Sequence, residues 1–235
     1  MSNEPQPIIS KHLAPLIEKH FQSLGFSSND GYRFFRVNNN LVHFMIFSVQ
    51  HQEVGSAGVR TGGNHLLFRF GEFLTYDPNL DLSPRFLPWG SNDHLTETDA
   101  IVFKEKKHFK TAAAKVMKAI SDIDSLRFSK ISSEEEYENF RLRGSPSILK
   151  LLYLTTAGRQ AEVDVWVELL SNKHRGLSCT KSYENNENLE YFLDQPSSLE
   201  TLFIAANQEE RNLIIDKLKI ENIKKFRLEF LNEAV

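Results

Sequence analysis

Three apolar runs in one short stretch constrain this chain more than anything else in it: Tyr32–Val37, Leu41–Gln50 and Leu66–Leu74. Each is rich in Phe, Val, Ile or Leu and is bounded by Gly, Asn or Asp, the pattern of consecutive antiparallel strands. The Asn38-Asn39-Asn40 turn fits a tight hairpin, because asparagine tolerates positive φ better than most residues. In the second run the odd positions are Leu41, His43, Met45, Phe47 and Val49. The even ones are Val42, Phe44, Ile46, Ser48 and Gln50. Both faces start apolar, so both are expected to be covered at that end, and the even face turns polar first. In the third run Leu66, Phe68 and Phe70 alternate with Leu67, Arg69 and Gly71, giving one aliphatic–aromatic face and one that holds an arginine.

Helices are expected on both sides of these strands. Ser10 can cap a first helix, with Leu13, Leu16, Ile17 and Leu24 at helical spacing and Gly25 at its C-terminus. His51–Asn64 holds Gly55, Gly58, Gly62 and Gly63 and reads as a loop. Thr75–Thr98 is irregular, since Pro78, Pro84 and Pro88 interrupt it, while Phe86 and Trp89 give it something to bury. A short strand is expected at Ala100–Phe103. Lys104–Asp124 then reads as a helix, with Phe109, Ala112, Ala113, Val116 and Ile120 on one side. Beyond Ser132 helices dominate. Ser132/Ser133 before Glu134–Glu136 is a helix-start signal, and Ser145-Pro146 opens another helix that Gly158 ends. Ala161–Leu170 fits either period, and its helical surroundings favour a helix. Asn188–Asp194, Ser197–Ala206 and Glu209–Leu218 read as short helices, followed by a last one. The fold class is α+β: an antiparallel sheet of three or four strands packed by helices over 8–128, then a mainly helical region over 132–235.

The 235 residues are 40% hydrophobic and 25% charged, ordinary values for a globular protein. With 28 basic and 31 acidic residues the net charge is −3, too balanced for general nucleic-acid binding. The balance is uneven, however. Residues 1–130 carry 15 Lys and Arg against 13 Asp and Glu, and residues 131–235 carry 13 against 18. The acidic excess sits in helical segments, with Glu134, Glu135, Glu136, Glu209 and Glu210 prominent, and points to a basic protein partner. The plain alternative is a solvated helical surface. The single cysteine, Cys179, excludes an internal disulfide and fits a reducing compartment. No run approaches a membrane span and the N-terminus lacks a signal-peptide pattern, so a cytoplasmic protein is expected.

No motif assembles a catalytic or metal site, and no cofactor is implied. His43, His51 and His65 lie near one another in the chain, but no Cys or carboxylate stands at ligand spacing beside them. Asp99 with Glu105-Lys106-Lys107 has the residue types of metal-dependent nucleases, in a lysine-rich helix start. Asp164 and Glu168 stand one helical turn apart without a histidine and read as a polar side. The loop GSAGVRTGGN offers backbone N–H groups and Arg60 to an anion, but it lacks the Gly-Lys-Ser/Thr ending of a P-loop.

Leu24-Gly25-Phe26, Tyr32-Arg33-Phe34-Phe35-Arg36, Phe47-Ser48-Val49-Gln50 and Phe68-Arg69-Phe70-Gly71, in that order after a helix, resemble the bacterial family called domain of unknown function 4304. The resemblance spans about residues 8–125. The family has no established activity, and some relatives look like immunity proteins of bacterial toxin systems. With no catalytic set legible, the expected function is a non-catalytic bacterial binding protein, and the resemblance permits a toxin-neutralising immunity protein. Its contact surface would be the acidic helical half or the loop with Phe86 and Trp89. The alternative is an enzyme acting on a phosphate-bearing substrate or nucleic acid through Arg60, Arg69 and the histidines.

Overall fold

A computed structural model describes residues 9–52, 63–78, 80, 101–103, 108–142, 147–173 and 196–229. They fall into two compact units. One, Met1–Phe73 with Leu82–Ser132 and Phe230–Val235, holds nearly all of the sheet; the other comprises Leu74–Asp81 and Ser133–Glu229.

In the first unit a π-type turn, Ile9–Leu13, leads into helix α1, Ala14–Ser23. Ser10 lies inside that turn and no side chain caps α1, so the expected Ser10 cap does not form. Pro15 stands in the first turn instead, where a missing N–H costs nothing. Ala14, Ile17 and Phe21 carry the buried face, and Leu16, expected inward, is exposed. Gly25 takes φ +80° just past the helix, as its position predicts.

The sheet follows: β1 Arg33–Asn38, β2 Leu41–Gln52, β3 Gly63–Leu74 and β4 Ile101–Phe103, hydrogen-bonded in the order β1-β2-β3-β4. It is antiparallel. Asn38 pairs with Leu41, so Asn39-Asn40 is the hairpin loop, and Asn39 has φ +54°. Strands β2 and β3 run further than their apolar cores. His51, Gly63 and Asn64, expected in a loop, are strand residues. The physical reason on the β3 side is visible: Asn64 pairs with Phe103 and His65 with Val102, so ladder bonds to β4 hold the backbone where side-chain polarity gives no signal. Every residue from Leu41 to Phe47 is buried, on both faces, as the doubly apolar start of that run requires.

Helix α2, Phe109–Leu126, buries the five residues its periodicity singles out, Phe109, Ala112, Ala113, Val116 and Ile120. Helices α1 and α2 pack together. They share a core with one face of the sheet, where Phe34, Met45, Phe47, Leu66, Phe68 and Phe70 meet Ile17, Phe21, Val116 and Phe128. The rings interlock: Phe21 and Phe34 centroids lie 4.3 Å apart, and Phe34 meets Phe47 edge-on at 5.8 Å. Such pairs add about 0.5–1.5 kcal/mol beyond area burial.

The second unit contains α3 Glu134–Arg141, α4 Ile148–Thr156, α5 Gln160–Lys173, α6 Pro196–Ala205 and α7 Gln208–Phe226. Helix α3 starts on a capping box between Ser133 and Glu136. Helix α4 starts at Ile148 with Ser147 as its cap, accepting from the Lys150 N–H at 3.3 Å. Ser145-Pro146, expected to open it, lies outside the described residues, as does 188–194. Residues 161–170 are helical, as their surroundings favour. Helix α7 corrects the reading of two short helices that part after Leu218: it is one helix of 19 residues, closing on Arg227 at φ +56°. Asn222 keeps it continuous. It sits on the buried face, and its Nδ2 donates to the carbonyls of Thr75 at 2.8 Å and Asp77 at 2.9 Å. Among the described residues no helix is long and apolar enough to cross a membrane.

Candidate functional site

Among the described residues, two clusters of charged side chains and two outward helix faces depart from simple packing.

The first cluster lies in the sheet unit. Arg36 of β1 and His43 of β2 are cross-strand partners. Arg36 Nε and Nη2 both point at His43 Nδ1, at 3.2 and 3.0 Å. On the other side of the ring, His43 Nε2 reaches the Ile131 carbonyl at 2.6 Å. That geometry assigns the proton to Nε2, which donates, and makes Nδ1 the acceptor. The ring stacks on Phe128 with centroids 4.5 Å apart. Arg36 also donates to the Leu24 carbonyl at 3.0 Å and pairs with Asp124 of α2 at 2.7 Å, its guanidinium lying over Phe26. Burial pushes the His43 pKa down; the Ile131 carbonyl opposes this and Arg36 reinforces it. Next to it the fully buried Glu72 carboxylate accepts from Arg127 Nε and Nη2 at 3.2 and 3.1 Å. The His–Arg–Asp set has the residue types of acid–base machinery, yet both imidazole nitrogens are occupied. Chemically it ties the segment after α2 to the sheet.

The second cluster lies in the helical unit. Buried Lys150 of α4 pairs with Glu138 of α3, and Arg159 approaches the other Glu138 oxygen at 3.8 Å. Arg159 also holds Glu162 through two bonds of 2.5 Å. That bond raises the Arg159 pKa and lowers that of Glu162. Burial lowers the Lys150 pKa, and Arg159 lowers it further. Nearby, the Tyr76 hydroxyl donates to Glu134 at 2.9 Å; burial, then that carboxylate, raises the phenol's pKa.

One cleft among the described residues, about 240 Å³, is lined by Ser10, Glu18, Ser28, Asn29 and Asp30 among others, and by no member of either cluster. Asp30 there is committed to the Tyr32 and Arg33 N–H groups, at 3.0 and 2.9 Å, and to the Arg33 side chain.

Only some of the residues expected to bind are among the described ones. Arg60, Phe86 and Trp89 lie outside the described residues, as do Asp99, Glu105 and Cys179. Arg69 is half-buried on β3, on the face opposite Phe68 and Phe70, whereas His43 lies on their side with Met45 and Phe47. Arg69 and His43, two of the residues that the enzyme alternative draws on, thus lie on opposite faces of the sheet. Glu134–Glu136 form the first turn of α3, and Glu209 and Glu210 the first turn of α7. Glu136 and Glu210 close capping boxes, Glu210 accepting from the Asn207 N–H at 2.7 Å. Three of these carboxylates thus have a local partner, and Glu135 and Glu209 remain exposed. His20 meets Ser121 at 3.0 Å, joining α1 to α2, and His12 of the preceding turn lies against Phe109 of α2. No group of three or more His, Cys, Asp or Glu among the described residues could hold a metal ion.

What the sequence reading did not single out are the exposed apolar side chains on the outward sides of α5 and α7. On α5, Val165 and Leu169 are 57% and 50% exposed, with Asp164 and Glu168 exposed beside them. On α7, Leu213 and Ile220 are 61% and 49% exposed. The signal was present: α5 fits both a helical and an alternating pattern because it carries apolar residues on both sides. Compared with protein-family models, curated proteins and solved structures, the chain matches none.

Proposed function

We propose that this protein acts by binding another protein rather than by catalysis, with a contact surface on α5 suited to a basic partner. The outward face of α5 carries the reading. Ala161, Val165 and Leu169 form an exposed row at four-residue spacing, and Asp164 and Glu168 form an exposed row beside it. Single apolar side chains on a surface need no explanation; a row of them flanked by carboxylates does. The apolar row offers area to desolvate, and the acidic row steers a basic partner and makes association fall with salt. Both His43 ring nitrogens are bonded and Glu138 is held by two cations, which supports a binding role over acid–base chemistry. A toxin-neutralising immunity protein is the specific form that the resemblance over 8–125 permits, with a toxin bearing a basic face as the partner.

The test compares the wild-type chain with the Val165→Asp/Leu169→Asp variant as bait in a lysate of its own cells. The expected partner is basic, is lost by the variant, and associates more slowly as salt rises. A partner held equally by both chains at a salt-independent rate overturns the α5 surface and moves attention to Phe86 and Trp89. Turnover of a phosphate ester that Arg69→Ala abolishes would favour the enzyme instead.

A further inference from the structure

The outward face of α7 has a pattern that reads the same in both directions, and it goes beyond the binding role proposed above without resting on it. The inner face is filled by Arg211, Ile214, Ile215, Leu218, Asn222 and Phe226. Arg211 there donates to the Phe203 and Ile204 carbonyls, at 3.1 and 3.3 Å, and so closes the end of α6. The opposite face presents Glu209, Leu213, Asp216, Ile220 and Lys224, all exposed, with half-buried Lys217 at its margin. The acids stand toward the N-terminus and the lysines toward the C-terminus, the order that the helix dipole favours.

We propose that two copies of this chain pair through α7, antiparallel, about a two-fold axis passing between Asp216 and Lys217. A two-fold axis there places Leu213 of one copy against Ile220 of the other, twice. The same operation sets Glu209 opposite Lys224 and Asp216 opposite Lys217, again twice each. Apolar meets apolar and acid meets base at every level of a stripe about 22 Å long. A parallel pairing would instead set Glu209 against Glu209 and Lys224 against Lys224. Asp216 bonds Lys219 of its own helix only at 3.8 Å, and its side chain is 67% exposed, so it is open to a second cation. A single helix pair is below the usual size of a stable interface, so the dimer is expected to be weak and concentration-dependent.

The experiment is sedimentation equilibrium of the full chain over a wide concentration range at low salt. The expected result is a reversible monomer–dimer equilibrium. Glu209→Lys and Lys224→Glu, each alone, should weaken the dimer about tenfold, since each puts like charges together twice. The double swap Glu209→Lys/Lys224→Glu should bring it back to near the wild-type value, which only the antiparallel register allows. A second measurement reads the register directly. In a Cys179→Ser background, a short bismaleimide should join copies carrying Asp216→Cys. It should not join copies carrying Leu213→Cys alone, but should join these to copies carrying Ile220→Cys. A monomer at all concentrations, a dimer indifferent to the single reversals, a double swap that fails to restore it, or cross-linking of Leu213→Cys to itself would each overturn the proposal.

Discussion

The sheet unit and the helical unit both bury charged groups, but among the described residues the helical unit leaves more of its large apolar side chains outside, five against Leu16 and Leu126. In the first, the aromatic rings of Phe21, Phe34, Phe47, Phe68 and Phe70 are all inside, and even Arg36, His43 and Glu72 are drawn in and satisfied there. In the second, α5 and α7 carry large apolar side chains on the core face and again on the outward face. A structure that leaves Val165, Leu169, Leu213 and Ile220 outside has apolar surface available for association. The sheet unit is therefore the part expected to fix stability, and the helical unit the part expected to meet other molecules.

The contrast is broken most severely in the aromatic core. Phe47 is buried among Phe21, Phe34 and Phe68, so Phe47→Ala should cost about 4 kcal/mol in urea unfolding. Leu213→Ala, on the exposed stripe, should cost under about 0.5 kcal/mol in the monomer. Equal effects would mean that the outward face of α7 is packed after all.

The helical unit has its own weak point in the Glu138–Lys150 pair. Glu138→Ala leaves buried Lys150 beside Arg159 without the carboxylate between them, and about 3 kcal/mol should be lost. Glu138→Leu combined with Lys150→Met should recover most of it, because the double change removes both buried charges. A double variant as unstable as the single one would show that the pair matters for shape and not for charge.

These two sites also show what the sequence could and could not reveal. The core stripe of α2 and the hairpin at Asn39 follow from local rules, a three-to-four spacing and a residue that accepts positive φ. Glu138 and Lys150 sit on different helices, and His43 finds its carbonyl at Ile131, far along the chain. No local rule pairs such residues. The same cause hid the length of α7. Asn222 interrupts the apolar stripe in the sequence, but its buried amide is satisfied by Thr75 and Asp77, so the helix runs on through it. The outward faces of α5 and α7 were legible only as ambiguity, since apolar residues on two sides blur any single period.

A smaller effect separates the units by pH. An unfolded histidine titrates near 6.5, and His43 in the folded protein is held lower by burial, with Arg36 adding to it against the Ile131 carbonyl. As pH falls below 6.5 the unfolded chain takes up a proton that the folded one refuses. The stability His43 contributes is thus present above that pH and is lost as pH falls toward its folded pKa. The slope from one histidine cannot exceed about 1.4 kcal/mol per pH unit. Urea midpoints of the wild type should drop between neutral and mildly acidic pH, and His43→Gln should flatten that drop. An unchanged slope in the variant would assign the acid sensitivity to other groups.

The smallest effects decide whether the acidic helix starts belong to the fold or to a partner. Ser133 accepts from the Glu136 N–H at 3.2 Å, and Glu136 accepts from the Ser133 N–H at 3.1 Å. Ser133→Ala should therefore cost about 1 kcal/mol. Glu135 is exposed in the same turn and interacts mainly with the helix dipole, so Glu135→Gln should cost about 0.3 kcal/mol. Neither change touches α5. Once a partner is in hand, both variants should bind it at the wild-type rate, while Val165→Asp/Leu169→Asp should not. If Glu135→Gln slows association and leaves the unfolding midpoint where it was, the carboxylates at the start of α3 are themselves part of the contact. The outward face of α5 would then have to share that role.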